Sequence, residues 1–191
     1  MRLEFYDTTL RDGAQAAGIA FSVADKRQIF SLLENIGMDY IEGGAPASNP
    51  KDAEFFAELS APRLVAFGAT RRKDSAPEND AGLAALIASG AERVCIFGKA
   101  SRSQAEEVLG VTPEQNLTMI SESVSYLRAR GKKVIFDAEH FYDGFREDRK
   151  YALAALMAAY MSGADTLVLC DTNGGSSPRD AYEFTHVAAD T

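Results

Sequence analysis

Six short apolar runs alternate with longer helical patterns along the whole 191-residue chain, and this alternation constrains the fold more than any other feature. Each run is almost entirely hydrophobic, as expected of parallel strands that are covered on both faces. The runs that predict strands are residues 3–6, 40–41, 64–67, 94–97, 134–136 and 166–169. Repeated strand–helix units of this kind predict an α/β protein with a parallel sheet.

Capping residues mark where the intervening helices begin and end. Ser22, with Asp25 three positions later, has the spacing of a capping box, and Gly37 lies where a left-handed residue ends a helix. Three further starts combine a capping side chain with a proline at the first helical position: Asn49-Pro50, Thr112-Pro113 and Ser177-Pro178. The helices are therefore bounded by local chemistry as well as by their apolar faces.

Two architectures fit this pattern, a doubly wound open sheet and a (β/α)8 TIM barrel. A nucleotide-binding open sheet carries a glycine-rich phosphate loop after its first strand. Residues 7–15 read DTTLRDGAQ instead, which matches neither G-x-G-x-x-G nor a P-loop, so the barrel is favoured. A barrel has eight units and about 250 residues. We therefore expect residues 1–191 to be the N-terminal portion of a TIM-barrel domain, an incomplete barrel without strands seven and eight or any C-terminal regulatory region.

The charge balance restricts the partners that the chain can bind. Twenty Lys and Arg against 28 Asp and Glu give a formal net charge of -8. An acidic surface repels phosphate backbones and anionic lipids, so neither a nucleic-acid nor a membrane partner is expected. No signal peptide or membrane-length apolar run is visible, which predicts a cytoplasmic protein. Cys95 and Cys170 lie within apolar runs and are expected to be buried, reduced thiols.

Polar residues follow the predicted strands, where a barrel builds its active site. A single acid in such a place more often caps a helix or forms a turn. Acids from several strands that meet at one rim repel one another unless a cation or a proton is shared, so the set predicts a divalent-metal site. The residues of the set are Asp7, Arg11, Asp12, Gln15, Glu42, Lys99, Asp137, Glu139, His140, Asp171, Thr172 and Asn173.

The nine residues DTTLRDGAQ, directly after the first strand, resemble the opening motif of the DRE-TIM metallolyases. That family includes the 2-isopropylmalate, homocitrate and citramalate synthases and 3-hydroxy-3-methylglutaryl-CoA lyase. Later segments match in order along the whole chain: YIEGGAPASNPKDAEFF (40–56), VAFGATRR (65–72), IFGKAS (96–101), VIFDAEHFYDGF (134–145) and LVLCDTNGG (167–175). They are most similar to the citramalate synthase branch, since 2-isopropylmalate synthases usually carry a different fourth-strand segment and DTVG after the sixth strand.

The resemblance implies an acyltransferase that performs a Claisen-type condensation of acetyl-CoA with a 2-oxo acid in isoleucine and leucine biosynthesis. Pyruvate is the expected 2-oxo acid, and citramalate the expected product. The resemblance implies a divalent metal (Mg, Mn or Zn), held partly by Asp12, that polarises the ketone. Arg11 then stabilises the oxyanion and contacts the substrate, and Glu42 orients Arg11. The alternative interpretation of Glu42 is a helix cap, and that of Arg11-Asp12 is an ion pair within the loop.

Further roles are carried over from the same resemblance. Glu139 matches a glutamate assigned to acid/base work, and Thr172 matches a hydroxyl that binds the 2-oxo acid carboxylate. Gln15 and Asp137 are assigned to substrate binding, although Asp137 is also read as a helix cap. His140 is read either as a surface loop residue or as a substrate contact.

Four other residues are expected to lie outside the chemistry. Lys99 either meets CoA phosphates or faces water, and water is the favoured interpretation. His186 lies within the last helical pattern and is expected to be structural, and Phe5 and Tyr6 are expected in the core.

The chain also departs from the family pattern. Family members complete the metal site with a His-x-His pair after the seventh strand, whereas the two histidines here, His140 and His186, lie 46 residues apart. We expect this chain to be an N-terminal fragment that binds metal weakly and is inactive alone, and the full-length form to be a homodimer. Open alternatives are a non-catalytic partial-barrel module, and, among enzymes, a 2-isopropylmalate or homocitrate synthase or a lyase of the family.

Overall fold

The structure is a computed structural model that describes residues 3–191. Its six strands form a single parallel sheet in the order β1-β2-β3-β4-β5-β6. The strands are β1 (Tyr6–Asp7), β2 (Tyr40–Gly44), β3 (Leu64–Ala69), β4 (Arg93–Lys99), β5 (Lys133–Glu139) and β6 (Thr166–Leu169). Each strand lies beside its neighbour in sequence, so all connections run in one direction around the sheet.

This sequential order distinguishes the two predicted architectures. A doubly wound sheet reverses its strand order at a switch point, and no reversal occurs in this sheet. Within residues 3–191, β1 and β6 each pair with a single neighbour, so the sheet curves into a half-barrel without closing. The prediction of an incomplete (β/α) barrel is confirmed.

Seven α-helices accompany the strands in the described part of the chain. They are α1 (Val23–Asn35), α2 (Pro50–Glu58), α3 (Ala81–Ala88), α4 (Pro113–Ala129), α5 (Phe141–Glu147), α6 (Arg149–Met161) and α7 (Pro178–Ala189). The Ser22–Asp25 capping box forms, and Gly37 adopts a φ of 93°, as its position after α1 predicts. None of the helices within residues 3–191 has both the length and the apolar character needed to cross a membrane.

The two faces of the sheet have different neighbours, because side chains alternate along each strand. The outer face packs against the helices and contains buried residues such as Ile41, Val94 and Phe136. The inner face carries a smaller apolar cluster around Val65 and Cys95. Polar side chains at the carboxyl ends of the strands therefore stand above this inner cluster, at one rim of the half-barrel.

Three features differ from the sequence predictions. The first strand spans two residues instead of four, and Phe5, expected in the core, is 60% exposed. The helix α5 was not predicted, because its sequence FYDGFRE contains a glycine and few good helix formers. Residues Gln104–Leu109 form a π-helix, which no sequence pattern indicated.

Candidate active site

A cavity of about 540 Å³ opens at the carboxyl ends of the strands. It brings together six of the seven predicted site residues, namely Arg11, Asp12, Gln15, Asp137, Glu139 and Thr172. Its remaining lining residues are Phe67, Phe97, Cys170 and Asp171. The seventh predicted residue, Glu42, lies fully buried beneath Arg11. Residues from the loop after β1, from β3, β4 and β5, and from the segment after β6 therefore converge on one space.

Arg11 is the centre of the polar contacts in this cavity. Its Nε donates a hydrogen bond to Glu42 Oε1, and its Nη1 lies 3.1 Å from Asp12 Oδ1. The guanidinium carbon stands 3.9 Å from the centroid of the Phe67 ring, a cation–π contact. Within residues 3–191 the third nitrogen, Nη2, makes no hydrogen bond. The side chain is thus fixed from two sides and retains donor capacity for a ligand.

Glu42 is a buried carboxylate whose two oxygens have different partners. Oε1 accepts from Arg11, and Oε2 accepts from the Tyr6 hydroxyl at 2.8 Å. Burial raises the pKa of Glu42 above its ordinary value, while the contacts from Arg11 and Tyr6 act in the opposite direction. Burial also raises the pKa of Tyr6 well above its ordinary range, so the phenol stays protonated and donates. The predicted orienting contact between Glu42 and Arg11 is present.

Asp137 stands on the inner face of β5, near the Cys95 thiol. Burial raises the pKa of Asp137 above its ordinary value, while Cys95 and the charge of Arg11 act in the opposite direction. Cys95 is fully buried, as predicted, and burial raises its pKa as well. Cys170 is only half-buried and lines the cavity, where burial raises its pKa to about 12. Both thiols are therefore neutral at physiological pH.

Glu139, the predicted acid/base residue, forms an ion pair with Lys99. The expectation that Lys99 faces water was wrong, because Lys99 is buried on the last position of β4. The register of the sheet places Lys99 directly beside Glu139, which explains the pairing. Asn116 of α4 donates to the Lys99 carbonyl at 2.8 Å and fixes the backbone at this point.

The rim after β5 and β6 is held by contacts between the two loops. The His140 backbone N–H donates to Thr172 Oγ1 at 2.9 Å, and His140 adopts a left-handed φ of 59°. A left-handed conformation is uncommon for a residue with a side chain. Asn173 donates to Asp143 at 2.7 Å. These contacts place Thr172 at the cavity with its hydroxyl oxygen already accepting one hydrogen bond.

Some acids at the strand ends accept hydrogen bonds from nearby backbone N–H groups, as expected of acids that form turns. Asp7 accepts hydrogen bonds from the Thr9 N–H and hydroxyl, so it forms a local turn. Asp171 accepts from the backbone N–H groups of Gly175 and Ser176. His186 is exposed on α7, 3.5 Å from Asp190, and does not line the cavity.

The turn after Glu42 is fixed by a buried ion pair between α1 and α2. Lys26 forms the pair with Asp52, and its Nζ also donates to the Gly43 carbonyl at 2.9 Å. Asp52 Oδ2 accepts from the Ala45 N–H at 2.8 Å. Gly44, at a φ of 143°, is required here, since a Cβ would lie 2.4 Å from the Asp52 carboxylate. The backbone that carries Glu42 is therefore held by side chains from both helices.

The described residues supply one candidate metal ligand but no complete metal site. The Asp12 side chain is 63% exposed and offers a hard oxygen donor, which suits Mg²⁺ or Mn²⁺. Across residues 3–191, no three His, Cys, Asp or Glu side chains are grouped closely enough to hold a metal ion. Within residues 3–191, the Asp12 carboxylate is therefore a candidate ligand for a divalent metal.

Sequence reasoning missed three residues around this cavity. Tyr6 was assigned to the core, yet its hydroxyl reaches Glu42. Phe67 and Phe97 stack with their centroids 5.5 Å apart and form the apolar wall beside Arg11. Phe67 and Phe97 lie on adjacent strands, on the same inner face as Glu42 and Asp137. Because side chains alternate between the two faces of a strand, the sequence pattern could have predicted that they face the site.

Comparisons with known proteins agree with the resemblance found in the sequence. The profile of a family described as HMGL-like matches residues 2–189. An (R)-citramalate synthase from Sulfolobus acidocaldarius is 48% identical over 188 residues, covering 96% of this chain and 36% of the relative. A 2-isopropylmalate synthase from Shouchella clausii is 34% identical over 188 residues, covering 96% of this chain and 36% of that synthase. The chain thus spans about a third of the length of these curated relatives.

A solved structure supports the fold. The crystal structure of hydroxymethylglutaryl-CoA lyase from Pseudomonas aeruginosa superposes with a TM-score of 0.78 at 22% identity. The match covers 99% of this chain and 64% of the lyase chain. At that identity the likeness concerns the fold, and it agrees with the half-barrel described above.

Proposed function

This chain belongs to the HMGL-like (DRE-TIM) family, and from that premise we propose that it carries the N-terminal part of a citramalate-synthase-type active site. The proposed reaction joins acetyl-CoA, pyruvate and water to give citramalate and free CoA. The observation that supports it most is the arrangement around Arg11, which is held by Glu42 and Phe67 while it faces the cavity. The relatives with 44–48% identity are (R)-citramalate synthases.

Proton removal from the acetyl methyl group is the first step. Glu139 lines the cavity as the candidate base, and Lys99 on the neighbouring strand forms an ion pair with it. The methyl group loses its proton to Glu139, and the resulting enolate carbon attacks the ketone carbon of pyruvate. Water then cleaves the thioester and releases CoA.

Arg11 acts on the oxygen that becomes negatively charged during this attack. A guanidinium cannot lose its charge at physiological pH, and its planar donors suit an oxyanion or a carboxylate. Because Glu42 and Phe67 already fix the side chain, little reorganisation is needed when charge develops. Thr172 and Gln15 border the same cavity and are proposed to bind the substrate carboxylate, with Asp137 as a further contact.

The proposed reaction uses a divalent metal, for which Asp12 is a ligand. When bound, such a metal supplies Lewis-acid polarisation of the ketone. Asp12 extends its exposed carboxylate into the cavity beside Arg11 and is the proposed ligand within this chain. The further ligands, the homodimeric assembly and the cytoplasmic location are proposed for the full-length protein.

The aromatic wall supports pyruvate over a bulkier 2-oxo acid. Phe67 and Phe97 stack beside Arg11 and line the cavity, and we propose that they limit the size of the 2-oxo acid side chain. One methylene of misfit in an apolar pocket alters specificity by about 1–3 kcal/mol, so discrimination is expected to be strong without being absolute.

The test is the release of free CoA by a full-length protein that contains this sequence, followed with a thiol reagent. Acetyl-CoA is supplied with pyruvate or with 2-oxoisovalerate under otherwise equal conditions. We expect faster release with pyruvate. Faster release with 2-oxoisovalerate would assign the protein to the isopropylmalate branch, and no release with either would favour another family reaction or a non-catalytic module.

A further inference from the structure

We propose that Tyr6 is a positioning residue that acts on Arg11 through Glu42. This inference deepens the proposed function, since it concerns how the oxyanion-binding side chain is held. It adds to the site a residue of β1 that does not line the cavity.

The geometry forms a linear chain of three groups. Tyr6 Oη donates to Glu42 Oε2 at 2.8 Å, and the other oxygen, Oε1, accepts from Arg11 Nε. The strands place them together, because Tyr6 is in register with Tyr40, two residues before Glu42 on β2. Each oxygen of the carboxylate therefore has a donor, and the plane of the carboxylate is fixed by both.

Burial makes the contribution of the Tyr6 hydroxyl large. Glu42 is fully buried, so no water replaces a lost hydrogen bond without rearrangement of the site. A buried carboxylate that loses one of two donors either leaves the plane that both donors fixed or takes up a proton. In both cases the Nε contact of Arg11 is weakened, and the guanidinium is free to leave its orientation toward the cavity.

The charged and titratable groups around Glu42 increase its dependence on the Tyr6 hydroxyl. Burial favours the protonated form of Glu42, as does the nearby negative charge of Asp137. The contacts from Arg11 and Tyr6 favour the carboxylate form. The groups that face Glu42 are Tyr6 on β1, Arg11 in the following loop, Cys95 on β4, Asp137 on β5 and Cys170 after β6.

Packing alone does not account for the hydroxyl. The Tyr6 ring lies 6.3 Å from the Tyr40 ring and joins the inner apolar cluster, and a phenylalanine would keep both contacts. Tyr40 itself provides a matched control, because its hydroxyl bonds to the exposed Glu4 at 3.1 Å. Tyr6→Phe and Tyr40→Phe therefore each remove one hydroxyl from neighbouring rings. The Tyr6 hydroxyl contacts Glu42, whereas the Tyr40 hydroxyl does not.

The kinetic test compares these two variants with the wild type in the full-length protein, by CoA release with pyruvate. Tyr6→Phe should lower kcat by about 10- to 100-fold, the range for losing one hydrogen bond to a charged group, with KM for acetyl-CoA nearly unchanged. Removing the hydroxyl also raises the pKa of Glu42, so the acid limb of the kcat/KM profile should move to higher pH. Tyr40→Phe should leave kcat and this limb at wild-type values.

A second measurement does not depend on activity. In the wild type the Arg11 Nε–H is engaged by Glu42, so its exchange with solvent, followed by NMR, should be slow. We expect roughly tenfold or greater acceleration in Tyr6→Phe and none in Tyr40→Phe. Wild-type exchange in Tyr6→Phe, or equal effects in both variants, would overturn the role of Tyr6. Absence of CoA release by the wild type would instead refute the proposed function, and the exchange result would still decide this inference.

Discussion

Replacing Asp52 by alanine should destabilise the fold far more than removing an acid from the same helix at its surface. Asp52→Ala leaves the Lys26 ammonium without its counter-ion, although Lys26 is only 3% exposed and Asp52 5% exposed. It also removes the acceptor of the Ala45 N–H. Breaking a buried ion pair by deleting one partner costs about 3–5 kcal/mol, because an uncompensated charge remains buried.

The matched control is Glu58→Ala on the same helix. Glu58 pairs with Arg27 at 3.3 Å, and the two side chains are 42% and 58% exposed, respectively. Such surface pairs contribute about 0–1 kcal/mol. Both variants remove from α2 one carboxylate that pairs with a cation on α1, so their net charges are equal. They differ in the burial of the pair and in the Ala45 contact, which only Asp52 makes.

Thermal unfolding followed by circular dichroism measures the difference. For a domain of this size about 1 kcal/mol shifts Tm by 2–4 °C, so Asp52→Ala should lower Tm by roughly 6–20 °C and Glu58→Ala by no more than about 4 °C. Adding Lys26→Met to Asp52→Ala should recover part of the loss, since the stranded charge is removed. Equal shifts for Asp52→Ala and Glu58→Ala would refute the reasoning.

Three further predictions concern activity in the full-length protein. Arg11→Lys keeps the charge but loses the planar donors, so kcat should fall about 10²–10³-fold with an unchanged circular dichroism spectrum; near wild-type turnover would remove Arg11 from the chemistry. Asp12→Asn should raise the Mn²⁺ concentration needed for half-maximal activity, because a hard dication loses an anionic ligand, and an unaltered Mn²⁺ dependence would contradict that role. Phe97→Ala opens the aromatic wall, so the ratio of kcat/KM for 2-oxoisovalerate over pyruvate should rise roughly tenfold or more; an unchanged ratio would argue against the wall as the determinant.

The fold was predictable because local signals agree with the tertiary arrangement. The Ser22–Asp25 capping box and the glycine after α1 act over a few residues and form as expected. The apolar runs identified all six strands, and the absence of a phosphate loop after β1 favoured the barrel. The helix α5 escaped prediction because its stability comes from packing: Phe141 is fully buried, and Gly144 fits against the Ala100 carbonyl, where a Cβ would lie 2.2 Å away.

The membership of the candidate site was easier to predict than its internal contacts. Strand-end position and motif resemblance identified Arg11, Glu139 and the other charged and polar residues that line the cavity, together with Glu42 beneath it. No sequence pattern indicated that Lys99 is buried against Glu139, because that contact depends on the register between β4 and β5. The Tyr6 hydroxyl was missed for a related reason, since the apolar surroundings of Tyr6 in sequence resemble those of a core residue. Both contacts depend on the register between neighbouring strands, which the sequence patterns do not specify.

Carbon-13 NMR of the product tests the central claim most directly. Acetyl-CoA labelled at the methyl carbon is incubated with unlabelled pyruvate and a full-length protein containing this sequence. We predict that the label appears in the methylene carbon of citramalate, because the enolate carbon derived from the acetyl methyl group forms the new bond. Label recovered only in acetate or in unreacted acetyl-CoA would contradict a condensation at this site.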